Sequence, residues 1–75
     1  VEQKLEEIFR EVFRLLPGDD VTKVRQVNHP AWDSLAHVTL IGAIESEFNV
    51  TIDVADSIEI TSYEAAVLYL EKHGG

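Results

Sequence analysis

Apolar residues at Leu5, Ile8, Phe9, Val12, Phe13 and Leu16 recur at i, i+3, i+4 and i+7, which predicts a helix from Glu2 to Leu16 burying one stripe. Lys4, Arg10 and Arg14 share its other surface with Glu6, Glu7 and Glu11, and Pro17-Gly18-Asp19-Asp20 ends it. A long connection over 17–33 follows, with Val21, Val24 and Val27 as anchors to the core and room for a short turn of helix. Asn28-His29-Pro30 marks an extended or turn segment within it. The second helix, Ser34 to Phe48, has two apolar faces: His37, Leu40, Ile41, Ile44 and Phe48 toward the core, and Leu35, Val38, Thr39, Gly42 and Ser46 away from it. Asn49-Val50-Thr51-Ile52-Asp53 breaks the period. Ile52, Val54, Ile58 and Ile60 are then expected to supply apolar contacts around a short helix near 55–59. Thr61-Ser62-Tyr63-Glu64 matches a capping box with Thr61 at the cap. The last helix, about Ser62 to His73, buries Tyr63, Ala66, Val67 and Leu70 and has Gly74 as its C-terminal cap. The expected fold is all-α, a small four-helix bundle of three longer helices and one short one with a long first loop.

Composition sharpens this picture. Seventy-five residues, 45% of them hydrophobic, make one domain (1–75) with one modest core. No apolar run would span a membrane, and no signal-peptide pattern is present. The expectation is a cytoplasmic monomer, and a start at Val1 instead of Met suggests trimming or excision from something longer. With no cysteine, disulfides, thiolate metal sites and a thiol nucleophile of its own are excluded. Of the net charge of −8, nearly all lies after residue 32: residues 1–32 hold six acids and five bases, residues 33–75 eight acids and Lys72 alone. Such a surface repels nucleic acid and steers basic protein partners.

The chemistry converges on Trp32-Asp33-Ser34-Leu35. Either Asp33 or Ser34 suits the N-cap of the second helix, the ordinary role of such residues. A phosphate ester on Ser34 would also sit in the favourable field of a helix N-terminus. Exposed Leu35 and Val38 beside the serine, flanked by Glu45 and Glu47, form a small docking surface. His37 falls on the buried face, as a satisfied core residue first and a pocket-lining one second. Ser34 and His37 need not point together, and neither an oxyanion-hole motif nor a third triad member is evident, so hydrolysis is disfavoured. His29, His37 and His73 lack metal-ligand spacing, Asp53 and Asp56 lack the calcium-loop pattern, and no glycine-rich phosphate loop exists.

With Asp33-Ser34-Leu35 opening a helix that ends Ile44-Glu45-Ser46-Glu47-Phe48, followed by Ile52, a short helical stretch and Ile60-Thr61-Ser62 leading into the last helix, the chain resembles the acyl carrier protein family from Asp33 to Leu70. The resemblance implies a carrier, not an enzyme. Ser34 would bear 4'-phosphopantetheine, transferred from coenzyme A by a phosphopantetheinyl transferase, and acyl groups would ride as thioesters on its thiol. Asp33 and Leu35 would flank the attachment point. Leu35, Val38, Gly42 and Glu45, with Glu47 nearby, would meet basic docking patches on acyl-loading and acyl-processing enzymes of fatty-acid, polyketide or related biosynthesis. His37 and Ile41, with Ile52 and Ile60, would border an acyl pocket. Three features depart from the family pattern: Trp32 is bulky where a small residue is usual, which would crowd the approach to the serine; Ala36 and Thr39 replace common acids; and His37 is larger than usual. The alternative is an unmodified protein-interaction module that retains the carrier fold.

Overall fold

The computed structural model describes residues 2–73 and is an all-α bundle. Helix α1 spans Glu2–Phe13, α2 Ser34–Phe48, α3 Val54–Glu59 and α4 Tyr63–His73. Two 3-10 turns, Val21–Lys23 and Gln26–Asn28, lie in the long connection between α1 and α2. Among the described residues there is no strand, and no helix is long and apolar enough to cross a membrane.

The core is built from one stripe of each long helix: Leu5, Ile8, Phe9 and Phe13 of α1, Leu40, Ile41 and Ile44 of α2, and Tyr63, Ala66 and Leu70 of α4. Val21, Val24, Trp32, Ile52 and Ile60 enter from the connections. Phe9 is the hub. Its ring stands nearly perpendicular to those of Trp32 (centroids 5.7 Å, 74°) and Tyr63 (5.2 Å, 82°), the geometry that sets ring edge against ring face. Phe13 completes the cluster, 4.7 Å from Trp32 and 5.5 Å from Phe9.

Both long helices that precede a connection end alike. Arg14 (φ 53°) and Asn49 (φ 54°) take the left-handed conformation, and the following N–H groups close back on the helix, Leu15 to the Arg10 carbonyl (3.0 Å) and Val50 to the Glu45 carbonyl (3.2 Å). This is the Schellman arrangement, which satisfies carbonyls that would otherwise lack a donor. At α1 it comes three residues earlier than the sequence predicts. The Arg10 guanidinium donates to the Leu16 and Asp19 carbonyls (3.0 and 3.1 Å), and Asp19 accepts from the Leu16 N–H (2.9 Å), so the chain leaves the axis and Leu16 is exposed, not buried.

The long connection is pinned by Val21 and Val24 but not by Val27, which is 90% exposed. The three-residue spacing would align all three only on a continuous 3-10 helix. Val24 and Arg25 are extended, so the second turn starts out of phase. That extended pair instead bridges to the start of α4, with Gln26 N–H donating to the Thr61 carbonyl (2.9 Å) and Tyr63 N–H to the Val24 carbonyl (3.1 Å). The α4 cap is Ser62 in place of Thr61, its Oγ accepting from the Ala65 N–H at 3.0 Å. Val67 of α4 is half-buried, and the cap expected at Gly74 lies outside the described residues. Helix α3 buries none of its own residues. Ile52 and Ile60 flank it as anchors while Val54 and Ile58, expected inside, face solvent.

Replacing Phe9 with alanine should cost about 3–5 kcal/mol in urea unfolding, because it empties the hub of the ring cluster. Val27→Ser should stay within about 0.5 kcal/mol of the unmodified chain. A second outcome concerns alkali. The Tyr63 hydroxyl donates to the Glu2 carbonyl (3.2 Å), and burial first, then the Glu2 and Glu6 carboxylates, hold its phenol above the ordinary value of 10.0. A value raised in the folded state means the unfolded chain loses its proton first. The contribution to stability is therefore complete below pH 10.0 and declines as pH rises through the higher folded value. Unfolding free energy measured on either side of that window should drop on the alkaline side, and Tyr63→Phe should lessen the drop.

Candidate functional site

The start of α2 is fixed by three consecutive residues with three different tasks. Trp32 turns inward and is 4% exposed, its backbone N–H donating to the His29 carbonyl (3.0 Å). It therefore fills the core, and the crowded approach to the serine expected from its bulk does not exist. Asp33 is extended (φ −98°, ψ −173°) and is the N-cap: its Oδ1 accepts from the Ala36 N–H (2.8 Å) and its carbonyl from the His37 N–H (2.9 Å). Ser34 is the first helical residue and is exposed. By position, the N–H groups of Ser34 and Leu35 precede the first acceptors of the helix and lie at its positive end. An exposed hydroxyl beside unpaired donors fits a phosphate ester, and Arg14 lines the same cleft as Asp33, Leu35 and Thr39.

His37 sits one turn further on, and both of its ring nitrogens are engaged. The indole Nε1–H of Trp32 donates to Nδ1 (3.0 Å), with the two rings side by side and 25° from parallel, their centroids 6.0 Å apart. An indole nitrogen can only donate, so Nδ1 is the bare acceptor and the ring proton resides on Nε2. Nε2–H then donates to the Ser57 carbonyl of α3 (2.9 Å), with Ser57 Oγ at 3.2 Å. His37 thus has no nitrogen left for Ser34. Among the described residues, no group of three or more His, Cys, Asp or Glu side chains converges as a metal site would.

The remaining predicted residues divide between separate surfaces. Leu35, 75% exposed, lies on the α1 side with Arg14 and Thr39. Val38, Ile41, Gly42 and Glu45 line a cleft of about 410 Å³ between α2 and α3, together with Ile52, Val54, Ser57 and Ile58. A Cβ at Gly42 would meet nothing within 4 Å, so no close packing requires glycine there. Glu45 is half-buried, its Oε2 accepting from the Ile52 N–H (2.8 Å), which ties the α2–α3 turn to α2. Glu47 lies apart from this surface, 3.3 Å from Lys4 of α1. Ile60 opens on another cleft, between α3 and α4 beside Tyr69, and His37 stands behind Ser57, away from the lining. The structure therefore joins Ile41 and Ile52 but separates both from Ile60. Val54, Ser57 and Ile58 were missed as site residues. The apolar pair four apart in α3 carried the signal, but six residues are too short a span to say which side faces inward.

No protein-family model matches the chain.

Asp33→Ala should destabilise the fold by about 1 kcal/mol through loss of the cap, and Asp33→Asn by much less. Equilibrium urea unfolding of the two variants distinguishes the cap from a purely electrostatic role.

Proposed function

We propose that this chain is an acyl carrier whose attachment point is the Ser34 hydroxyl. The observation that carries the reading is the division of roles at the helix start: Asp33 makes the cap bonds, and the adjacent hydroxyl stands exposed at the positive end of α2. Bound there, 4'-phosphopantetheine supplies a thiol on a flexible arm, and so a thioester bond to the cargo, in a chain that has no cysteine. The unpaired N–H groups of Ser34 and Leu35 would stabilise the phosphodiester charge. Ser34, Val38, Ile41 and Glu45 recur at i, i+4, i+7 and i+11, one stripe of α2, so the attachment point heads one wall of the α2–α3 cleft. The apolar lining of that cleft suits an acyl chain. Exposed Leu35, Val38, Val54 and Ile58 beside the acids of residues 33–75 suit docking by partners with basic patches, the transferase among them.

Incubation with coenzyme A, magnesium and a broad-specificity phosphopantetheinyl transferase should add the mass of one phosphopantetheine group, and Ser34→Ala should gain none. No mass gain with any transferase tried would remove the carrier reading and leave the unmodified interaction module.

A further inference from the structure

Glu64, Val67, Leu68 and Glu71 fall at i, i+3, i+4 and i+7 on α4, the spacing of a helix face that packs against something. This face is not the one turned to the core. Helix α4 buries Tyr63, Ala66 and Leu70, while Val67 is half-buried and Leu68 is 62% exposed. The stripe lines a groove of about 370 Å³ together with Glu2 at the start of α1 and the ring of Tyr63. Three carboxylates thus surround two aliphatic side chains, and no Lys or Arg lines the groove. Among the described residues none of the three carboxylates forms an ion pair: Lys4 is taken by Glu47 and Arg10 by Glu6. The groove shares no residue with the α2–α3 cleft or with the cleft beside Asp33.

An apolar groove rimmed by one sign of charge selects an occupant that is apolar along its centre and oppositely charged at its edges. Nucleic acid and anionic membranes are repelled by this rim, and a second copy of the chain brings the same net charge of −8. From Glu64 to Glu71 is about 10 Å at the helical rise, close to two turns. An apolar side chain with bases one turn to either side matches that length. We infer that the groove between α4 and the start of α1 is a docking site for a basic amphipathic helix of a partner protein. Its apolar side chains seat on Val67 and Leu68, and its Lys or Arg side chains meet Glu64, Glu71 and Glu2. The site draws on none of the residues that line the cleft assigned to the acyl chain, and it stands whether or not Ser34 is modified.

The probe is a synthetic leucine–lysine helix of about four turns with its leucines on one face, titrated into the isotope-labelled full chain. Amide shifts should be largest at Glu64, Val67, Leu68, Glu71 and Glu2. Glu64→Lys/Glu71→Lys should weaken binding about tenfold or more, and Leu68→Ser about fivefold. Glu7→Lys/Glu11→Lys makes the same change in net charge at exposed positions of α1 outside the groove, and should weaken it less than about twofold. The same peptide with glutamine in place of lysine should not bind. Equal losses from the two charge reversals would overturn the inference, since attraction by net charge alone would then suffice. Shifts centred on Val38, Val54 and Ile58, full binding of the glutamine peptide, or no binding of the lysine peptide would overturn it as well. So would a dimer in sedimentation of the free chain that Leu68→Ser abolishes, which would give the groove to a second copy.

Discussion

A buried indole must find an acceptor for its one N–H, and in this chain that requirement organises the bundle. Trp32 contributes the largest aromatic surface of the core, packed on Phe13 and nearly perpendicular to Phe9. Left unpaired, its N–H would cost roughly 1–3 kcal/mol, a large part of what a domain this small has to spare. His37 supplies the acceptor. Because a neutral imidazole has one donor and one acceptor, accepting on one nitrogen commits the other to donating, and Ser57 on α3 receives it. One packing decision in the connection thereby sets the histidine tautomer on α2 and holds a short helix that buries nothing of its own.

Charge is handled locally instead of by pairing across the core. No charged side chain among the described residues is fully buried. Asp33 and Asp53 cap α2 and α3, Glu45 accepts from the turn between those helices, and Arg10 gathers the carbonyls that follow α1. The acids of the second half are thus used where backbone N–H groups need acceptors, and the surplus remains on the surface. Asp20 follows the same pattern: its hydrogen bonds to Thr22, with smaller help from Lys23 and Arg10, hold its carboxyl below the ordinary range.

The bounds of α2 and the inward faces of α1, α2 and α4 were legible because amphipathic periodicity over a dozen residues leaves little choice of side. Legibility failed where the period was interrupted. Val27 kept the three-residue spacing of Val21 and Val24, yet two extended residues between the turns put it in water. Leu16 continued the stripe of α1 past the point where Arg14 leaves the helix. Val54 and Ile58 belong to a helix shorter than two turns, for which hydrophobicity alone gives no direction. At the site, Ser34 could be singled out from its place before an apolar run, and the choice of Asp33 over Ser34 as cap needed coordinates. Trp32 and His37 are five apart across a helix boundary, a spacing that belongs to neither regular period, so their bond left no trace in the pattern.

The separation of duties between adjacent residues at the start of α2 has a thermodynamic corollary. The two bonds that define the helix start use the Asp33 carboxylate and carbonyl, and neither uses the Ser34 oxygen. A substituent on that oxygen therefore displaces no partner on which the backbone relies. Loss of the helix cap is thus not among the costs of derivatising the chain.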